Sequence, residues 1–225
     1  MIKTFTTPGG NRAEFEVRAG TNDAMVAEAV VRHDEYALAE LPQAGGRYID
    51  IGSHIGSWII AALLDDQWAE GVAVEAVPDN VELLTANLEL NGLTDRVEVV
   101  PKAFARRGPV SISYDLDREG EDERARMAEM HRFIGNQRMS EGTNGTTIKV
   151  PAITPRALFK DGAAAVKIDI EGGEEALIGA SLKGVGVITG EYHIDRGPLF
   201  DHLTKTHRVG LSGSQSFGYF TAVPR

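Results

Sequence analysis

The strongest constraint on the fold is a regular alternation along the chain between short β-branched runs and longer stretches with helical spacing of apolar residues. This alternation is typical of βαβ units, in which a helix leads from each strand to the next parallel strand of one sheet. The predicted strands are RYIDI over residues 47–51, GVAVEA running to Glu75, VEVVP ending near Pro101, short runs over residues 110–114 and 147–150, AAVKIDI over residues 164–170, VGVITGEYH over residues 185–193, and a terminal antiparallel pair over residues 207–211 and 217–223. The sequence therefore predicts an α/β fold, with one domain over residues 1–225.

Residues 1–46 precede the first core strand and are expected to form a hairpin and helical cap. A small hairpin or strand is predicted over Ala13–Arg18. Thr21, Asn22 and Asp23 offer N-cap oxygens to a helix running towards Val31. A second helix is predicted over residues 36–41.

Residues 115–144 depart from the alternation because they are rich in charge and glycine and poor in aliphatic side chains. Met127, Met130, Phe133 and Ile134 recur at helical spacing, which predicts a short amphipathic helix inside an excursion outside the sheet. Two interpretations stay open for this segment: a solvated surface insertion, or a lid over a substrate site.

Composition excludes several classes of protein. The chain has no cysteine, which rules out a disulfide framework, a thiolate nucleophile and a sulfur-ligated zinc site. Its 23 basic and 33 acidic residues give a formal net charge of −10, so a nucleic-acid partner is not expected. The longest apolar run, Trp58–Leu64, is far shorter than the roughly 20 residues of a membrane span. We therefore expect neither secretion nor membrane insertion, and we predict a cytoplasmic setting.

The string DIGSHIG follows the first core strand and has the character of a ligand-binding turn. In open α/β sheets, ligands bind beyond the carboxyl ends of the strands, where backbone N–H groups are free. The glycine spacing is neither that of dinucleotide-binding proteins nor that of a P-loop, so phosphate binding has little support. Glu75 ends the next strand, 23 residues after Gly52, where a carboxylate can accept hydrogen bonds from both ribose hydroxyls. The two features together predict binding of a nucleoside that carries an amino acid, which is S-adenosylmethionine.

Several longer strings point to one family. They are RAGTNDAMVAEAV and HDEY before the first core strand, then YIDIGSHIG, VEAVPDNVELLTANLELNGL, VPKAF, and VKIDIEGGEEALIGA followed by GEYH. Through them the chain resembles the FkbM-type methyltransferases over most of its length, and KIDIEG is the most specific string. The resemblance implies a doubly wound, Rossmann-like sheet of seven strands with the last one antiparallel. It also implies that the chain binds S-adenosylmethionine and transfers the methyl group, usually to a hydroxyl oxygen.

The resemblance assigns cofactor contacts position by position. It places Asp50, Gly52, Ser53, His54 and Gly56 on the methionine side, Glu75 on the ribose, and Ala76 and Ala103 at the adenine edges. His54 stands where that family more often has asparagine. Tyr36, in HDEY, is interpreted either as a side chain that closes over the cofactor or as a core aromatic.

Four further residues form the candidate catalytic set. Asp169 and Glu171 are two apart at the end of one predicted strand, and Glu191 and His193 are two apart at the end of the next, so each pair points to one side. Three uses are open: a general base for a substrate hydroxyl, a divalent cation site, and contacts to the amino group of the cofactor. We expect His193 to be the base, steered by Glu191 or Asp169, with a cation bound by this set as the alternative.

The sequence leaves the acceptor and the oligomeric state open. An acidic chain with a polar excursion suits a small hydroxyl-bearing acceptor that is polar, sugar-like or a natural product. Two other functions stay open, a catalytically inactive S-adenosylmethionine-binding module and a nicotinamide-dependent oxidoreductase, although the glycine spacing argues against the second.

Overall fold

The computed structural model describes residues 1–42, 45–114 and 146–225. The predicted excursion over residues 115–144 lies outside the described residues, so its lid-like role stays a prediction. The strands in chain order are β1 Ile2–Thr6, β2 Arg12–Glu16, β3 Gly46–Ile51, β4 Ala69–Glu75, β5 Val97–Pro101, β6 Ala103–Phe104, β7 Val110–Tyr114, β8 Thr146–Val150, β9 Ala152–Ile153, β10 Ala163–Ile168, β11 Val185–Tyr192, β12 His207–Gly213 and β13 Gly218–Pro224. The α-helices are α1 Asp23–Arg32, α2 Ser57–Asp65, α3 Pro78–Leu90, α4 Pro155–Leu158 and α5 Arg196–Leu203.

Seven of these strands form one central sheet in the order β12-β13-β11-β10-β3-β4-β5. Strands β11, β10, β3, β4 and β5 pair in parallel, while β13 runs antiparallel to both of its neighbours. The predicted seven-stranded sheet with an antiparallel last strand is therefore confirmed. Three two-stranded pairs lie outside it: β1 with β2, β6 with β9, and β7 with β8.

Helices cover both faces of the sheet, as the doubly wound prediction requires. On one face, Tyr48 and Ala73 pack against buried side chains of α1, α2 and α3 such as Val30, Trp58 and Leu84. The opposite face packs against α4, α5 and the segment between β10 and β11. The hairpin β1–β2 contributes side chains to the first of these cores. In the described residues, no helix has both the length and the apolar character needed to cross a membrane.

Two predicted helices are shorter than expected. Residues 36–41 form only a 3-10 turn over Leu38–Glu40, because Asp34 and Ala37 have positive φ values and the Asp34 carboxylate accepts the N–H groups of Leu38 and Ala39. The predicted helix from Glu174 is a 3-10 segment over Gly173–Leu177. Over residues 36–41, hydrogen bonds to the Asp34 side chain therefore take the place of the backbone hydrogen bonds of a longer helix.

Candidate active site

A cleft of about 1270 Å³ opens at the carboxyl ends of β3, β4 and β10. Nine of the twelve predicted site residues line it: Gly52, Ser53, His54, Glu75, Ala76, Ala103, Asp169, Glu171 and His193. Asp50, Gly56 and Glu191 are not on its wall. The parallel order of the strands brings these distant segments to one edge of the sheet.

The glycine turn after β3 is fixed by contacts to both neighbouring strands. The backbone N–H groups of Gly52 and Ser53 donate to the carbonyl of Val74, at 2.9 and 3.1 Å. Gly52 has φ +79°, and a Cβ there would lie 1.9 Å from the carbonyl oxygen of Asp169. The close approach that demands a glycine at residue 52 is thus to the backbone after β10. Gly56 has φ +90°, and a Cβ there would meet a Leu84 side-chain carbon at 2.6 Å.

Gly52→Ala is expected to destabilise the fold much more than Gly172→Ala. Both glycines have positive φ, but a Cβ on Gly172 would meet nothing within 4 Å. Gly172→Ala should therefore cost only the backbone term of about 1–2 kcal/mol. Gly52→Ala adds the overlap with Asp169 and should cost more than about 4 kcal/mol. Urea unfolding of both variants measures the difference, and equal losses would contradict the packing described for Gly52.

Glu75 is buried at the head of the cleft and held by backbone donors. Its Oε2 accepts the N–H of His54 at 2.8 Å, and its Oε1 accepts those of Ala76 and Val77 at 3.0 and 2.9 Å. Such charge-assisted bonds fix the orientation of the carboxylate. Nδ2 of Asn80 also donates to Oε1, at 3.5 Å, whereas Oε2 accepts only the N–H of His54 and so retains capacity for a ligand hydroxyl.

Asp50 lies beneath the glycine turn, fully buried, rather than on the cleft wall. Its Oδ1 is 3.3 Å from Nζ of Lys167, its partner in the register of β3 and β10. The Lys167 ammonium donates to the carbonyl of Gly52 at 2.8 Å and lies 5.2 Å from the centre of the Tyr36 ring. Burial lowers the pKa of Lys167, but Asp50 and Asp169 outweigh it and raise the pKa above its ordinary value. Sequence analysis missed Lys167, and its signal was its place two residues before Asp169 in KIDIEG.

His54 follows the glycine turn with φ +51°. Asparagine and histidine tolerate this left-handed region better than most residues, which is consistent with the preference for asparagine at the corresponding place. Its Nε2 lies 3.3 Å from Oδ1 of Asp23, which Arg18 also binds through two nitrogens. Burial raises the pKa of Asp23, but the hydrogen bonds from His54 and Arg18 outweigh it and hold the pKa well below its usual range. The side chain of His54 is therefore anchored to the first residue of α1.

The candidate catalytic set surrounds the imidazole of His193, which is 6% exposed. Its Nε2 lies 3.5 Å from Glu171 and 3.6 Å from Glu191, and its Nδ1 lies 3.5 Å from Glu174. Glu174 is fully buried and was missed as a site residue, while the predicted Glu171 is 74% exposed at its side chain. The buried carboxylate therefore comes from the short turn after β10, which sequence analysis read only as a helix start.

Tyr36 joins this set from the N-terminal segment. Its hydroxyl donates to Oδ2 of Asp169 at 2.9 Å, and the residue is 4% exposed. Burial and the charge of Asp169 raise the pKa of the phenol far above its usual value, so it stays protonated. Tyr36 is a buried aromatic that also lines the cleft, which combines parts of both sequence interpretations.

Three ligand groups of this set lie close enough to hold one cation. Oxygens of Asp169 and Glu174 and a nitrogen of His193 lie within 4.8 Å of one another. This trio differs from the predicted four in replacing Glu171 and Glu191 with Glu174. The carboxylate of Glu174 already accepts the N–H groups of Ile170 and Gly172, which favours a structural role.

The protonation of His193 predicts a pH dependence of stability. Burial lowers its pKa, but Glu174, Glu171 and Asp169 outweigh it and raise the pKa from 6.5 to about 9. Burial and the charge of Asp169 also raise the pKa of Glu191, to about 8. A group whose pKa is higher in the folded than in the unfolded protein stabilises the fold fully when the pH is below its unfolded pKa. This stabilisation is lost as the pH rises through the pKa of the folded protein.

The free energy of unfolding should therefore fall as the pH rises, with Glu191 contributing between about pH 4.5 and pH 8 and His193 contributing between about pH 6.5 and pH 9. His193→Gln should flatten this dependence, while the exposed His33→Gln should leave it unchanged. Chemical unfolding at a series of pH values measures it. A wild-type profile as flat as that of His193→Gln would contradict the assigned protonation.

Comparisons with known proteins place the chain in a family. The model of the methyltransferase FkbM domain matches residues 50–212, which is well over half of the chain. No curated protein matches the sequence at a significant level. The matched segment contains the glycine turn, Glu75 and the acids around His193.

Solved structures resemble the chain more distantly. An uncharacterized protein from Listeria monocytogenes has 14% identity and a TM-score of 0.49, over 86% of this chain and 67% of that one. A precorrin-6Y C5,15-methyltransferase from Geobacter metallireducens has 13% identity and a TM-score of 0.48, over 94% of both chains. A tRNA methyltransferase from B. subtilis has 14% identity and a TM-score of 0.44, over 84% of this chain and 64% of that one. The chain thus spans about two thirds of the length of the Listeria protein and of the B. subtilis tRNA methyltransferase.

The TM-scores of these three structures all lie below 0.5. The family match covers the glycine turn, Glu75, Asp169 and His193. The chain therefore belongs to the FkbM family of S-adenosylmethionine-dependent methyltransferases.

Proposed function

We propose that this protein transfers the methyl group of S-adenosylmethionine to a hydroxyl oxygen of a small acceptor. The supporting observation is that one cleft brings together the glycine turn, the ribose-binding candidate Glu75 and the proton-accepting candidates Asp169 and His193. The acceptor class predicted from the sequence, a polar, sugar-like or natural-product molecule, is part of this proposal. A nucleic-acid partner is not expected, and the cytoplasmic setting stays a prediction.

The chemistry requires a group that takes a proton. When bound, S-adenosylmethionine supplies an electrophilic methyl group whose leaving group needs little assistance. The protein must therefore orient the acceptor hydroxyl and accept its proton, since a neutral hydroxyl is a weak nucleophile. Among the described residues, Asp169, Glu171 and His193 are predicted catalytic groups that line the cleft, and the side chain of Glu171 is 74% exposed.

The environment of His193 favours Asp169 as the base at neutral pH. With its pKa raised to about 9, the imidazole carries a proton and offers no free lone pair there. Asp169 lies on the cleft wall with one oxygen fixed by Tyr36. We therefore propose that Asp169 accepts the proton and that the His193 cation balances the surrounding carboxylates. The sequence-based assignment of His193 as base is the alternative, and it requires turnover to rise with pH towards 9.

A divalent cation is a third possibility for the same group. Asp169, Glu174 and His193 would hold it, and it would lower the pKa of the acceptor hydroxyl. The cation and the proton on His193 compete for the same negative charge. A chelator should abolish a metal-dependent reaction and should not affect a reaction in which Asp169 or His193 alone accepts the proton.

The experiment has two stages. Calorimetric titration with S-adenosylhomocysteine and with NAD should give binding of the first alone; NAD binding would support the oxidoreductase. Incubation with isotope-labelled S-adenosylmethionine and cell extract, followed by mass spectrometry, should then yield a labelled methyl ether. Binding without any labelled product would support the inactive module, and a labelled amine or carbon would contradict O-methylation. Activity that survives thorough EDTA treatment excludes the metal, whereas loss restored by magnesium or manganese establishes it.

A further inference from the structure

The short strand pairs beside the cleft concentrate positive charge. Residues 101–114 and 146–160 contain six basic side chains and no acidic one, in a chain whose formal net charge is −10. These two segments are named the basic unit. Its six basic residues are Lys102, Arg106, Arg107, Lys149, Arg156 and Lys160. The basic unit therefore attracts anions, which the net charge of the whole chain repels.

Backbone pairing joins the two segments of the basic unit. Strand β6 pairs in parallel with β9, and β7 pairs antiparallel with β8. The N–H of Ala103 donates to the carbonyl of Pro151 at 2.9 Å, and the ring centres of Phe104 and Phe159 are 6.0 Å apart. The positive charges thus belong to one small piece of the fold, although 31 residues separate its two segments in the chain.

The basic unit forms part of the wall of the cleft. Lys102 and Ser111 both line it. Ser111 is the register partner of Lys149 in the β7–β8 pair, so the two side chains leave this pair on the same face. A cation and a hydroxyl of the basic unit are therefore on the cleft wall, and a second cation lies beside that hydroxyl.

Arg106 connects the basic unit to the side of the cleft where the proton acceptors lie. The basic unit begins after β5, whereas Asp169 follows β10, on the other side of β3 and β4 in the sheet. Nη2 of Arg106 donates to the carbonyls of Glu175 and Ile178, at 3.0 and 2.8 Å. Both of these residues follow β10 and line the cleft. A molecule with a hydroxyl at Asp169 therefore lies in a cleft that the basic unit borders.

Most charges of the basic unit are available to a ligand. Within the described part of the chain, only Lys160 of the six forms an ion pair, with the exposed Asp161 at 3.7 Å. Lys102 is half-buried, and the other five basic residues are exposed. Four of the six have neither an ion pair nor a side-chain hydrogen bond to another described residue: Lys102, Arg107, Lys149 and Arg156.

The type and number of these cations suit phosphate. The guanidinium group matches the oxygens of a phosphate in pairs, and the ammonium group binds phosphate as a point charge. A phosphate ester carries a charge of about −1.5 to −2 at neutral pH, so it interacts more strongly with several cations than a carboxylate does. The Ser111 hydroxyl on the cleft wall can donate to a further phosphate oxygen.

We infer that the methyl acceptor carries a phosphate group, which the basic unit binds while the acceptor hydroxyl lies at Asp169. This inference rests on the proposed function and names the class of its acceptor. The positive wall raises the local concentration of such an acceptor at the cleft, and the negative charge of the remaining surface keeps it from other places. The enzyme then discriminates against the same alcohol without its phosphate.

The first test is the charge of the methylated product. The labelled product formed in cell extract should bind to an anion-exchange resin at neutral pH, and its mass should include a phosphate group. A neutral or cationic product would overturn the inference, and so would an acid without phosphorus. A labelled product of macromolecular size, such as RNA, would contradict a small phosphorylated acceptor.

The second test uses inorganic pyrophosphate as the probe, which requires no identified acceptor. Titrated calorimetrically into the full chain, with and without S-adenosylhomocysteine, it should bind saturably and more weakly as KCl is raised. Lys102→Gln should weaken this binding about tenfold, the loss of one bond between charged groups. The double variant Arg107→Gln/Lys149→Gln should weaken it about threefold or more. Both should bind S-adenosylhomocysteine within about twofold of the wild type.

The matched control is the double variant Lys3→Gln/Lys183→Gln, which removes two exposed positive charges outside the basic unit. It should bind pyrophosphate like the wild type. Equal weakening in the control, or no saturable binding to the wild type, would overturn the inference. Arg107 and Lys149 are exposed, so their variant keeps the test decisive if Lys102→Gln is unstable. Failure of the wild type to bind S-adenosylhomocysteine, with pyrophosphate bound as expected, would instead overturn the proposed function.

Discussion

Asp169→Asn should lower turnover by about 10²- to 10⁴-fold, the usual contribution of a positioned base. Asparagine keeps the shape of the side chain and can still accept the hydrogen bond from Tyr36, but it cannot take a proton from the acceptor. Affinity for S-adenosylhomocysteine should stay within about threefold, since the interaction lost is with the acceptor. Steady-state rates with the acceptor identified from extract, together with calorimetry, measure both quantities. Asp201→Asn, on the exposed side of α5, is the matched control and should change neither.

His193→Gln separates the two proposed bases. If Asp169 is the base, this variant should retain part of its activity, and wild-type turnover should not track the titration of His193 near pH 9. If His193 is the base, the variant should lose as much turnover as Asp169→Asn, and wild-type turnover should rise up to that pH. Full activity in Asp169→Asn would remove Asp169 from the mechanism.

Glu75→Ala should weaken the binding of S-adenosylhomocysteine by about 100-fold or more. It removes the charge-assisted hydrogen bonds to the ribose and also the acceptor that holds the surrounding turn in place. The N–H groups of His54, Ala76 and Val77 would lose their shared acceptor, which loosens the turn that forms the head of the cleft. Glu75→Gln keeps one acceptor oxygen and should lose less. Calorimetry with S-adenosylhomocysteine measures both variants.

Glu70→Ala is the control for this prediction, because Glu70 lies on the same strand with an exposed side chain. It should bind S-adenosylhomocysteine like the wild type. An unchanged affinity in a folded Glu75→Ala would show that the carboxylate serves only the turn. The ribose assignment would then be wrong.

The strands were predictable because each one has a recognisable local pattern of apolar and β-branched residues. Apolar β-branched runs such as VGVITGEYH must lie in a buried strand, and the glycines after β3 mark a turn that no other residue accommodates. The seven-stranded sheet with an antiparallel last strand was expected from the resemblance, whereas the order of the strands came from the structure. Two helices were predicted to be longer than they are. The first is shortened by hydrogen bonds between the Asp34 carboxylate and nearby backbone N–H groups, which the spacing of apolar residues does not reveal.

The candidate site was predictable only where it lies at strand ends. Asp169, Glu75 and His193 could be grouped because parallel strands end at one edge. Glu174 could not, because it comes from a turn whose place depends on packing against other elements, and the bond of Tyr36 to Asp169 could not be predicted for the same reason. The family match covers residues 50–212, so Tyr36 and α1 lie outside the matched segment.

The sequence by itself determined the α/β class, the positions of the strands and the glycine turn, because these depend on local patterns of apolar residues and glycines. The family and the seven-stranded sheet were implied by the resemblance of strings such as KIDIEG. Only the tertiary structure decided that the Lys167 ammonium lies 3.3 Å from the buried Asp50 and that the carboxylates around His193 raise its pKa to about 9. These properties depend on the distances between groups that are far apart in the chain and on how far those groups are removed from water. Both factors set the strength of charge interactions and hydrogen bonds.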